Sequence, residues 1–170
     1  MPFTVRVSEA SELEQGLDPA RLAVENALRK ARAVHRPHAS EAVLGCDTIV
    51  VLDGVIYGKP QDAAAARETL SALCGQTHEV ISGLALLAEG PDRSLVEHTD
   101  IARTRVTFRA LDAEELDSYV GTGEWNGRSG GYAIQGAGAR LALVIDGEQD
   151  NVVGLPLANV RGLLARLVQG

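Results

Sequence analysis

Cysteine is nearly missing from this 170-residue chain; Cys46 and Cys74 are the two present. They show no metal-ligand spacing and no disulfide framework, which points to a reducing compartment, the cytoplasm. Basic residues are also outnumbered, 16 against 23 acids, for a net charge of −7. That balance argues against a nucleic-acid surface, which shows as a basic excess. It leaves room for a single nucleotide, which needs only a few local cations. No apolar run approaches membrane length, and the N-terminus lacks the basic-then-apolar pattern of a signal peptide. Lysine is scarcer still: of sixteen basic side chains, only Lys30 and Lys59 are not arginine. In such a chain a lysine marks a place that wants a compact ammonium, unless the choice is chance.

What is present suffices for one domain with a real core, and the length is too short to expect two. Apolar residues make up 45% of the chain and the mean hydropathy is close to zero, as in an ordinary globular protein. "PFTVRVSEASELEQG" alternates at Phe3, Val5 and Val7 and predicts a short strand running into a polar loop. "DPARLAVENALRKARAVH" predicts a helix, with Asp18 as cap and Pro19 in the first turn, ending near Pro37. "EAVLGCDTIVVLDGVIYGKP" predicts two strands joined at Asp53-Gly54. "QDAAAARETLSALCG" is a helix capped by Asp62 and stopped by Gly75. A long antiparallel pair follows around Glu89-Gly90-Pro91-Asp92, then a helix with a capping box at Asp112 and Glu115. "GYAIQG" and "ARLALVIDG" supply further strands. "PLANVRGLLARLV" closes the chain as an amphipathic helix with the stripe Leu157, Val160, Leu164, Leu167. Mixed helices and hairpins give α/β or α+β with a substantially antiparallel sheet.

Asp47 and Thr48 open the apolar run Ile49-Val50-Val51-Leu52. A carboxylate at the edge of a core is costly unless something compensates it. The tight hairpin can bring Lys59 back towards Asp47. A carboxylate and an ammonium at one sheet end are the minimal kit for phosphate chemistry: the first holds a metal or takes a proton from water, the second neutralises phosphate oxygens. The bland alternative is a cross-strand ion pair worth about 0–1 kcal/mol. Glu12 and Glu14 lie in a loop before the first helix, and Lys30 lies on that helix; loop acids alone decide nothing. His78 reads as a structural hydrogen-bonder, and His35, His38 and His98 share no metal-like spacing with it. "GGYAIQGAG" is glycine-rich but is not GxGxxG. Gln135 within it presents donor and acceptor together, as reading a base edge requires; a satisfied core amide is the alternative.

The segments "VLGCDTIVVLDGVIYGKPQDAAAARETLSALCGQTHEVISGLAL", "TRVTFRAL", "YVGTGEWNGRSGGYAIQGAGA" and "NVVGLPL", in that order, resemble the Maf family of nucleoside triphosphate pyrophosphatases. The likeness runs from about Pro2 to the C-terminal helix. It implies an α/β fold with an elongated mixed sheet and a cleft between two lobes, similar to the inosine triphosphate pyrophosphatases. It implies cleavage of a nucleoside triphosphate between the α and β phosphates, with a divalent cation, Mg²⁺ or Mn²⁺. By position Asp47 matches the family's proton acceptor, Glu12 an acidic metal partner of Asp47, and Lys30 and Lys59 the phosphate-contacting lysines. Thr48 and Gln135 match positions that mark the dTTP- and UTP-preferring subfamily, a house-cleaning role in nucleotide pools. A homodimer is the family's habit.

Two departures accompany the likeness. The family opens with a strand, an S-x-S-P-R-R phosphate loop and a helix that have no counterpart here, so the resemblance implies a shortened member or a late-placed start. The family's phosphate-contacting and specificity arginines belong to that unit. Its absence favours the rival reading, a catalytically impaired nucleotide-binding protein with a regulatory role in cell division. The second departure is Gln149-Asp150, where the family usually has a bulky residue.

Overall fold

The computed structural model describes residues 2–36 and 41–169; Pro37 and His38 lie outside them. Local signals place most elements. The helices are α1 (Pro19–Val34), α2 (Ala63–Leu73), α3 (Ala113–Gly121), α4 (Gln149–Val153) and α5 (Leu157–Gln169). The strands are β1 (Val43–Leu52), β2 (Val55–Tyr57), β3 (Thr77–Glu89), β4 (Leu95–Phe108) and β5 (Ala142–Asp146). They form one five-stranded sheet in the order β2-β1-β3-β4-β5, with β1/β2 and β4/β5 antiparallel. The α/β class expected from the sequence is the one observed. Among the described residues no helix is long and apolar enough to cross a membrane.

The chain divides into two compact units, one of Met1–Asp47, Gly83–Ile101 and Leu157–Gly170, the other of Thr48–Ser82 and Ala102–Pro156. In the first, Asp18 caps α1 by accepting from the Arg21 N–H, and the helix ends where His35 turns extended. Ala23, Ala27 and Ala31 form a fully buried stripe on α1. Small residues meet it from the strands. A Cβ on Gly45 would sit 2.3 Å from the Ala27 carbonyl oxygen, and one on Gly83 2.3 Å from the Ala23 backbone. Helix and strands therefore approach at backbone contact. From α5, Leu163 is fully buried and packs with Leu84 and Leu86, with Val160, Leu164 and Leu167 flanking it. The expected stripe is thus centred one step away, and Leu157 is 46% exposed. The expected strand at Phe3, Val5 and Val7 does not form; these residues have no regular structure and stand 79–89% exposed. Alternation needs a hydrogen-bonded neighbour to become a strand, and among the described residues none of the five strands pairs with this segment.

In the second unit the two-residue turn Asp53-Gly54 takes positive φ at both positions, 50° and 79°, and sets the register Leu52↔Val55. Asp62 caps α2, and Asp112 with Glu115 closes the capping box of α3. The core gathers Val50, Leu70, Val80, Val106, Phe108 and Ile134. Within it His78, Phe108 and Tyr132 stack edge to face at 4.7–5.4 Å between ring centres. Trp125 donates its indole N–H to the Val120 carbonyl at 2.9 Å. "GYAIQG" is not a strand. Two 3₁₀ turns, Ser129–Gly131 and Gly136–Arg140, flank it, and Gly130, Gly131 and Gly136 hold φ of 65–71°, which a strand cannot use. Tyr132 and Ile134 still point into the core, which explains the strand-like pattern.

Candidate functional site

β1 begins at Val43, six residues before the apolar run Ile49–Leu52, so Asp47 lies in mid-strand and is 5% exposed. Gly45 and Asp47, two residues apart, share the strand face that α1 covers. From α1, residues 26 and 30 stand one turn apart on one face. Lys30 Nζ donates to Asp47 Oδ1 at 2.5 Å and pairs with Glu12 Oε1 at 2.7 Å. Asn26 Nδ2 donates to Asp47 Oδ2 at 3.1 Å. The compensation that the buried carboxylate requires thus comes from one helix, one donor to each oxygen. Burial alone would lower the Lys30 pKa. Its hydrogen bonds to Asp47 and then Glu12, with their two charges, outweigh burial and hold it above 10.5.

Sequence reasoning singles out Asp47, Glu12 and Lys30, and the structure brings these three together. Asn26 was missed. Its signal was there: it is the one polar residue among the buried positions of α1, and a buried amide needs partners. Among the described residues no three acids, histidines or cysteines are grouped to hold a metal. Glu12 and Asp47 nevertheless converge on a single cation, and two carboxylates completed by phosphate oxygens and water are how Mg²⁺ is commonly held. The donor set fits an open site of that kind.

The other expected site residues belong to the second unit. Thr48 is half-buried; its Oγ1 shares a 2.7 Å hydrogen bond with the Oγ of fully buried Ser82, and its carbonyl accepts from Ser129 Oγ at 2.8 Å. Lys59 is exposed and lies past the ladder, which ends at Val50↔Tyr57, so it is outside the hairpin proper. Its loop is pinned on both sides. Gly58 O accepts from the Gly130 N–H at 3.0 Å, and Pro60 lies against Gly131. Gln135 is exposed and extended just before the second 3₁₀ turn; it is neither in a strand nor a core amide. His78 is structural, as expected. It is buried in β3 with its Nε2 2.8 Å from the Tyr132 hydroxyl, and burial lowers its pKa to about 4.

Comparison with known proteins shows the family. Residues 1–167 match the family described as "Maf-like protein". A Moorella thermoacetica protein named dTTP/UTP pyrophosphatase is 44% identical over 166 residues, covering 97% of this chain and 84% of its own. Relatives of the same name from Symbiobacterium thermophilum (46% identity, 92% of this chain and 79% of theirs) and Deinococcus radiodurans (41%, 100% and 83%) are similar.

Proposed function

The chain belongs to the Maf family, and from that premise we propose that it is a nucleoside triphosphate pyrophosphatase acting on dTTP and UTP. The observation that carries the mechanism is the convergence of Glu12, Lys30 and Asp47 on one point. In this reading the oxygen of a water attacks the α-phosphorus and Asp47 takes the proton that the water gives up. The bond from the α-phosphorus to the bridging oxygen breaks, and pyrophosphate leaves the monophosphate behind. Lys30 and Lys59 bind phosphate oxygens and offset their charge. Glu12 and Asp47 would hold a divalent cation, Mg²⁺ or Mn²⁺, whose chemistry is to neutralise charge on the phosphates. Thr48, held by Ser82 and Ser129, and Gln135 read the base. A glutamine amide complements the imide edge of thymine or uracil, carbonyls on either side of an N–H.

The role is removal of such triphosphates from the cytoplasmic nucleotide pool by a single Maf-like domain, working as a homodimer and without nucleic acid as a partner. Product analysis tests it. Incubated with Mg²⁺ and dTTP, the protein should release dTMP and pyrophosphate and leave ATP largely intact. Equal turnover of both would refute the base assignment, and phosphate release without pyrophosphate would refute the reaction.

A further inference from the structure

Asn26 is 2% exposed on a helix face otherwise built of Leu22 and alanines. An amide there is unfavourable unless every polar atom is used. It is used fully. Oδ1 accepts from the Leu13 N–H at 2.7 Å, and Nδ2 donates to the Leu13 carbonyl at 3.0 Å and to Asp47 Oδ2 at 3.1 Å. The partners fix which way the amide faces, since an N–H needs the oxygen while a carbonyl and a carboxylate need the nitrogen. Leu13 is thereby held as a strand neighbour would hold it. Yet its segment has neither helix nor strand of its own.

The next residue back is Glu12, whose carboxylate meets the same ammonium as Asp47. Lys30 cannot set the geometry of two carboxylates, because its ammonium is a point charge on a flexible stem. A side chain locked on a buried helix face can. We propose that Asn26 is a positioning residue that clamps the Glu12 loop and the second oxygen of Asp47 together, so that the two carboxylates present one preformed pair to a divalent cation. This deepens the reading above and rests on it. Asn26 would touch neither substrate nor metal; it acts through Glu12 and Asp47, as outer-shell partners of metal-ligating carboxylates do.

The test is Asn26→Leu, which keeps the branching and the number of side-chain heavy atoms and removes all three hydrogen bonds. Mn²⁺ uptake is read by the loss of the free-ion electron paramagnetic resonance signal, without nucleotide, and dTTP turnover is read separately at saturating Mn²⁺. Partners of this kind are worth roughly ten- to a hundredfold. The variant should bind Mn²⁺ weaker by about that factor and lose kcat, with KM for dTTP nearly unchanged. Asn26→Asp carries the same test if the leucine variant does not fold. It retains the acceptor for the Leu13 N–H but sets an oxygen, in place of a donor, against Asp47. A folded variant with unaltered Mn²⁺ affinity and kcat, a loss confined to melting temperature, or a wild-type protein that takes up no Mn²⁺ overturns the proposal. Wild-type protein that binds Mn²⁺ in an Asn26-dependent way but leaves dTTP intact refutes the substrate reading alone.

Discussion

Gly45→Ala should disable the enzyme from beneath its site. The added Cβ would lie 2.3 Å from the Ala27 carbonyl oxygen and 3.0 Å from the Ala31 Cβ and nitrogen. Two of those three atoms are helix backbone and cannot rotate aside. Restoring ordinary contact requires α1 to lift off β1 by about 1 Å. Ala27 adjoins Asn26 and Ala31 adjoins Lys30, so the lift carries both donors away from Asp47. The 3.1 Å bond from Asn26 would then exceed the length at which a hydrogen bond survives. Overpacking of this sort costs about 1–3 kcal/mol of stability, and misplacing reacting groups by about 1 Å costs roughly a hundredfold in rate. Urea unfolding and dTTP turnover measure the two effects on one preparation. Gly162→Ala is the control. It lies in α5 with nothing within 4 Å of the new Cβ, and it should be neutral or stabilise by about 1 kcal/mol. A Gly45→Ala protein with wild-type stability and turnover would show that the close helix–strand seam does not set the site.

Asp47→Asn keeps the shape of the side chain but removes the proposed proton acceptor. Turnover should fall by about 10²–10⁴-fold while dTTP binding, read by equilibrium dialysis, persists; unchanged turnover would sink the assigned role. His78 predicts a pH dependence of stability. Burial lowers its folded pKa to about 4 from 6.5, so as the pH falls below 6.5 the unfolded chain binds the proton first. The stability present above that value should be lost progressively down to pH about 4, by about 3 kcal/mol in all. In His78→Gln that slope should flatten, and an equal slope in both proteins would place the effect elsewhere.

The elements legible in the sequence are those set by neighbours in the chain. Asp18 and Pro19, Asp53-Gly54, and Asp112 with Glu115 fix caps and turns within a few residues, and each stands where it was expected. The failures depend on partners far away. Phe3, Val5 and Val7 alternate but have no ladder, while Tyr132 and Ile134 bury side chains from a backbone bent by glycines. Leu163, not Leu157, faces the core because the orientation of α5 is set by Leu84 and Leu86. At the site, Asp47 was conspicuous as an acid beside an apolar run. Glu12 by itself reads as any loop acid, and only the family likeness marks it. Asn26 bonds to residues 13 and 21 positions distant, a relation that no local pattern encodes.

The placement of the tryptophan and the tyrosines has a practical side, because they are gathered in one unit. Trp125 and the three tyrosines, Tyr57, Tyr119 and Tyr132, all belong to the second unit; the unit that holds Glu12, Asn26, Lys30 and Asp47 has none. Intrinsic fluorescence therefore reports the melting of the residues around Thr48, Lys59 and Gln135 and is dark to the proposed catalytic ones. Far-ultraviolet circular dichroism sees α1 and α5 as well. Coincident midpoints by the two methods mean that the units melt together, and a later dichroism midpoint means that the dark unit outlasts the bright one. A variant at Gly45, Asn26 or Asp47 that looks native by its tryptophan signal has shown only that the other half of the chain is folded.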